Sequence, residues 1–232
     1  MSSFSIGRGY TIAILMFVTV VLGACGGGND SGAQADGQTL FTLFPANFFN
    51  SGYSESYTVA GSDNQGQQFN GRYVFQTQPQ ALFQGATVTP VITTLTINNE
   101  NTGASSTIVS TDYYQVQNSS LQLMGAIAGA VTLQPLGDAS VPQFAMTGEF
   151  GAIGTFLDNA GNRTVSSWRL DSAANGQATF IQLQTTTNPE DEVASTAETE
   201  LVINTAGERL SAVVRINNLA NGVALVLSGS RE

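Results

Sequence analysis

The chain has no histidine, no lysine and a single cysteine among its 232 residues. Each absence removes a class of chemistry. Without an imidazole base there is no Ser-His-Asp triad. Without lysine there is neither a Ser-Lys dyad nor a Schiff base. One cysteine cannot close an intramolecular disulfide, so stability has to come from burial and backbone pairing. Zinc sites draw mainly on Cys and His, which are not present in number. The charge is one-sided, with seven Arg against 17 Asp and Glu for a net −10. Such a chain lacks the cations that nucleic-acid phosphates and anionic lipid head groups require, so neither is expected as a charge-held partner. The acidity reads as a solubility device. No cofactor is expected.

Carboxylate chemistry survives these exclusions. A glycosidase needs two Asp or Glu side chains on facing elements, and hard oxygen ligands suit calcium. The candidates are Glu55, Asp112, Glu149, Asp171, Glu198 and Glu200. None is singled out by its neighbours, and a solvated carboxylate on a strand face or turn is the plainer reading of each. Asp158-Asn159-Ala160-Gly161-Asn162 has the oxygens of a calcium loop without the length or closing Glu of an EF-hand, so a hairpin turn is expected there.

Long apolar runs are also scarce. One stands at the N-terminus, where residues 10–22 carry no charge and follow Arg8. Small residues, Gly23 and Ala24, come next, and then Cys25. Charged start, apolar centre and small-residue exit form the three-part secretory pattern, and the run is short for a spanning helix. Leu22-Gly23-Ala24-Cys25 resembles the lipobox of bacterial lipoproteins. That resemblance covers the leader alone. It implies cleavage before Cys25 and a diacylglyceryl group on its thiol, with several acyl chains giving stable membrane attachment. Gly26 rather than Asp after the cysteine implies the outer membrane of a Gram-negative envelope. The expected organisation is a signal peptide at 1–24, a lipidated Cys25 with a flexible tether to 38, and a single domain at 39–232. Loss of Arg8 leaves six Arg against 17 acids, a formal −11.

Residues 26–38 are Gly, Asn, Asp, Ser, Ala and Gln without apolar periodicity, a flexible linker with a root-mean-square span of roughly 20 Å. From Thr39 the texture becomes Thr, Val, Gln, Asn, Ser and aromatics with period-two alternation. Tyr73 and Phe75 share a face in one run, and Trp168 and Leu170 in another. Leu210, Ala212, Val214 and Ile216 are expected on one side of a third. The run 223–227 is apolar on both faces and predicts a well-covered last strand. Turn signals separate such runs: 62–66, 98–103, 158–162, Asn175-Gly176, 204–208 and Asn221-Gly222 combine Asx residues with a Gly, which accepts positive φ. The sum is an all-β chain, an antiparallel meander of about ten to twelve strands forming a barrel, a half-barrel or a sandwich. Four Phe within residues 40–49 predict a segment covering one end of the core, and 124–131 a hairpin or buried strand pair.

The functional expectation is a non-enzymatic, membrane-anchored lipoprotein whose β domain binds an apolar ligand, a glycan or an envelope protein. The alternatives are a structural or surface lipoprotein without ligand, and a carboxylate-dependent glycan hydrolase.

Overall fold

The structure, a computed structural model, describes residues 39–117 and 120–232. Sixteen strands follow one another: β1 (Leu40–Thr42), β2 (Ser54–Asp63), β3 (Gln68–Thr77), β4 (Ala81–Phe83), β5 (Ala86–Asn99), β6 (Ser105–Val116), β7 (Ser120–Ala128), β8 (Val131–Pro135), β9 (Ser140–Pro142), β10 (Phe144–Met146), β11 (Phe150–Asp158), β12 (Arg163–Ser172), β13 (Ala178–Thr187), β14 (Val193–Ile203), β15 (Arg209–Asn218) and β16 (Val223–Arg231). Twelve of them form one antiparallel ring in the order β2-β3-β5-β6-β7-β8-β11-β12-β13-β14-β15-β16. Three non-hairpin contacts complete it, one of them β8 with β11 across the short β9 and β10, setting Leu157 opposite Gln134. β3 pairs with β5 across the short β4, setting Tyr73 opposite Leu95, and β16 returns to β2, setting Leu227 opposite Gly61. Of the three architectures open at the sequence level, the chain adopts the closed barrel. Closure satisfies the backbone donors and acceptors that an open sheet leaves at its edges.

Period-two alternation sends one face of every strand inward. Tyr57, Tyr73, Phe75, Leu95, Phe156, Phe180 and Leu201 are fully buried there. Burial of a Phe such as Phe75, Phe156 or Phe180 is worth roughly 1.5–3 kcal/mol. Cross-strand rows show a gradient along the barrel axis. The row Leu170, Phe180, Leu201, Ala212 is apolar; Trp168, Gln182, Thr199, Val214 is mixed; Thr164, Thr186, Ser195, Asn218 is polar. Three inward glycines, Gly61, Gly71 and Gly229, permit tight strand approach beside large neighbours. A Cβ on Gly71 would stand 2.0 Å from the Thr96 carbonyl oxygen, and one on Gly229 would stand 1.9 Å from that of Thr58.

The outer wall is polar over much of its surface. β2 presents Ser54, Ser56 and Thr58; β3 presents Gln68, Asn70 and Arg72; β14 presents Thr196, Glu198 and Glu200. This is the reverse of a lipid-facing barrel, whose outward positions are apolar and whose lumen is polar. No helix among the described residues is long and apolar enough to cross a membrane.

Four of the hairpin loops share one geometry. The side-chain oxygen of Asp63, Asp158, Asn188 or Asn204 accepts the N–H groups two and four residues on. The fourth residue has positive φ: Gly66, Gly161, Asp191 and Gly207. This is the three-residue hairpin loop closed by a left-handed residue.

Two sequence expectations are corrected. Leu210 does not join Ala212 and Val214 inside. The β14–β15 register shifts between Val202 and Ile203, which turns Leu210 outward and Arg209 inward. The last strand is not covered on both faces, because Val226 lies on the outer wall and is exposed while Leu227 is buried.

One end of the barrel is plugged by the segment leading from β1 into β2. Phe41, Leu43, Phe44 and Phe48 are buried in it. β1 pairs with β10 as a two-stranded ribbon across the opening. Thr42 N–H donates to the Thr205 carbonyl at 3.1 Å and Leu43 N–H to that of Gln143 at 2.9 Å, tying the ribbon to the rim. The expected role of residues 40–49 as a cover for the core is met, and 124–131 form the β7–β8 hairpin.

Candidate functional site

Two unusual clusters sit at the plugged end. The first is inside. Glu55 is the first inward residue of β2, and Arg209 opens β15. Arg209 Nη1 donates to Glu55 Oε1 at 2.6 Å, with side chains 1% and 0% exposed. Tyr53 OH donates to the other oxygen, Oε2, at 2.7 Å. The guanidinium carbon lies 4.3 Å from the Phe48 ring centroid, 5.0 Å from that of Phe75 and 5.4 Å from that of Phe44. An aromatic box therefore encloses the cation while the carboxylate neutralises it. Burial pushes the Tyr53 hydroxyl well above its ordinary range, and the Glu55 charge adds to that. Burial does the same to Tyr57 and Tyr73, with Arg209 opposing and Glu55 adding to the rise. For Arg209, burial favours loss of the proton, but Glu55 together with Tyr57 and Tyr53 outweighs it and the guanidinium stays charged. Both Glu55 oxygens already accept hydrogen bonds from the protein, so this carboxylate is committed to the plug.

The second cluster is an open groove of about 420 Å³ lined by Pro142, Phe144, Gly148, Glu149, Phe150 and Trp168. Strand ends build it: β9 and β10 form one wall, and β11 and β12 the other. Gly148 N–H donates to the Leu170 carbonyl at 2.7 Å and Leu170 N–H to that of Glu149 at 2.9 Å, which fixes the 147–149 turn against β12. Glu149 Oε2 accepts from Met146 N–H at 2.8 Å, so the carboxylate closes its own turn. Trp168 enters from the inner side. A Cβ on Gly151, its cross-strand partner, would stand 2.8 Å from Trp168 Nε1, so glycine makes room for the indole. The groove offers aromatic surface and one carboxylate.

The six candidate carboxylates are dispersed. Glu55 is in the plug, and Asp112 is fully buried on the inward face of β6. Glu149 alone lines the groove. Asp171 pairs with Arg169 at 2.9 Å on the outer wall. Glu198 and Glu200 are brought together on the outer face of β14, both held by Arg215, with Glu198 at 2.6 Å. The groove therefore lacks the pair of facing carboxyl groups that glycoside hydrolysis requires. Asp158 serves its hairpin turn, accepting from Ala160 and Asn162 N–H groups at 2.8 Å each. Among the described residues no group of three or more His, Cys, Asp or Glu is placed to hold a metal ion. Cys25 lies outside the described residues, as do the expected signal peptide and tether.

Sequence reasoning missed Arg209 and the groove. Arg209 follows a turn and precedes an apolar alternation, and only the register shift turns it inward. The groove joins Phe144 and Phe150 to Trp168 through β-pairing, which no local pattern encodes. No protein-family model matches the chain, and no curated protein or solved structure matches it either.

Proposed function

We propose that this protein is a non-enzymatic lipoprotein of the bacterial envelope, held by lipid on Cys25, that acts through the outer surface of its barrel. The observation that carries this reading is an interior packed with side chains behind a polar wall. Tyr57, Tyr73, Phe75, Phe156, Phe180 and Trp168 fill the space that a carrier barrel would leave for its cargo. Ser, Thr, Gln, Asn and charged side chains on the outer strands suit water rather than lipid. Membrane attachment then falls to the N-terminus, where Leu22-Gly23-Ala24-Cys25 follows an apolar run. The dispersal of the carboxylates argues against a glycan hydrolase. With the interior occupied, partners meet the rim and loops, and an envelope protein or glycan is a better fit than an enclosed apolar ligand. Outer-membrane residence follows from Gly26 on the lipoprotein resemblance. Cys25→Ser tests the anchor: the variant is expected to leave the membrane fraction, and its retention after a carbonate wash would contradict it.

A further inference from the structure

The ribbon at the plugged end has the wrong polarity for a water-exposed surface. Its inner side, Phe41 and Ala145, is buried on the core. Its outer side carries Leu40 and Phe144, and Phe150 stands at the adjoining start of β11. These three are 58%, 47% and 81% exposed. The groove beside them adds Pro142 and the edge of Trp168. Leu82, on the β4–β5 hairpin at the same end of the barrel, is also largely exposed. The opposite end is different. Its hairpin loops carry Asp63, Glu100, Asp158, Glu190, Asp191 and Glu192. The plugged end has Glu149 and Glu208 of its own, and the far end exposes Leu219 and Val193, but the far end holds the larger share of loop carboxylates and the plugged end holds the exposed Phe144 and Phe150.

The chain enters the barrel at the apolar end. Leu40 is the first residue of β1, and residues 26–38 upstream have the Gly-, Asn- and Ser-rich composition expected of a short tether. A barrel tethered this way holds its plugged end nearest the lipid that carries Cys25. Leu and Phe side chains on an exposed rim gain by leaving water for the head-group boundary. The acidic loops at the far end are held away from the surface and repelled by any anionic head group. We infer that the plugged end docks on the bilayer surface, with Leu40, Phe144 and Phe150 as its contacts. The lipid anchor and this face then form two attachment signals that fix the orientation of the barrel, its acidic loops outward. The inference rests on the anchor proposed above.

With Cys25 acylated the protein has no other thiol, so Phe144→Cys and Asn221→Cys each provide one labelling site, at opposite ends. The full lipidated protein, labelled with a nitrobenzoxadiazole dye, is placed in phosphatidylethanolamine–phosphatidylcholine vesicles with and without a head-group spin-labelled lipid. Docking predicts at least twofold quenching at position 144 and none at 221, and Leu40→Ser with Phe150→Ser is expected to abolish the difference while the protein stays membrane-bound. Equal quenching at both positions, or none at either in bound protein, overturns docking and leaves the anchor standing. Dye self-quenching at 144 that depends on protein density rather than spin label would assign the face to a second copy and overturn the proposal. A spectral shift at 144 produced by soluble glycan without lipid would overturn it in favour of a glycan. Recovery of the unsubstituted protein in the soluble fraction overturns the anchor and the docking together.

Discussion

Glu55 and Arg209, 154 positions apart, meet at 2.6 Å inside the barrel with both side chains almost wholly buried. Their contact joins β2 to β15 beneath the plug. Removing one partner leaves a charge buried and unanswered. Glu55→Gln and Arg209→Met are each expected to lower stability by about 3–5 kcal/mol, while replacing both by apolar residues restores most of the loss. Urea unfolding followed by Trp168 fluorescence measures this. Single variants as stable as the parent would show that the pair does not hold the plug.

Tyr53, Tyr57 and Tyr73 surround the same pair, and burial holds all three protonated above the ordinary phenol range. A proton held more tightly in the folded state gives stability that is complete below the unfolded value near 10 and lost as pH rises above it. Ultraviolet titration of tyrosinate is expected to show these three ionising only as the barrel unfolds. Reversible ionisation of all the tyrosines near pH 10 in folded protein would contradict the packing.

Glu232 shows the opposite shift. Ser56 Oγ donates to it at 2.6 Å and Thr58 Oγ1 at 2.7 Å, and Arg72 adds a salt bridge. These hydrogen bonds, then the guanidinium, hold its carboxyl at about 2. A depressed value gives stability that is present above the unfolded value near 4.3 and lost as pH falls toward 2. Carbon-13 NMR titration should find a midpoint near 2, and Ser56→Ala should raise it. A midpoint above 4 in the parent would show that Glu232 does not engage β2 and β3.

Three of the four matching hairpin loops place Gly at the left-handed position, and the fourth places Asp191, at φ 62°. That conformation costs an L-residue roughly 1–2 kcal/mol, less for Asp. The exposed Arg163–Asp191 contact, 3.6 Å long, offsets little of it. Asp191→Gly is therefore expected to stabilise the barrel by up to about 1 kcal/mol in chemical denaturation. A loss of stability would mean that the aspartate serves the loop in a way its backbone does not reveal.

That same loop shows where the sequence was readable and where it was not. Asx residues followed by Gly marked the turns at Asp63, Asp158 and Asn204, but with Asp at position 191 the 188–192 loop carried no such signal. Side-chain alternation located Tyr73 and Phe75 on β3, and Trp168 and Leu170 on β12, because one buried face imposes a period of two. Closure was not legible. The β16–β2 and β3–β5 pairings are made by backbone groups, which every residue carries, so the sequential hairpins favoured one curved sheet but left barrel, half-barrel and sandwich all open. The register shift that exchanges Leu210 for Arg209 is set by pairing with β14. The groove joins strand ends brought together by the plug, so Phe144 and Phe150 gave no local sign of standing beside Trp168.

On the function proposed above, a filled barrel with a polar outer wall is held to the envelope by lipid on Cys25. Intact-mass measurement of the protein extracted from the membranes of a Gram-negative host tests it most directly. Lipid anchoring predicts a chain beginning at Cys25, heavier than residues 25–232 by a diacylglyceryl group and its acyl chains. A chain that retains Met1, or one that begins elsewhere with an unmodified thiol, would contradict it.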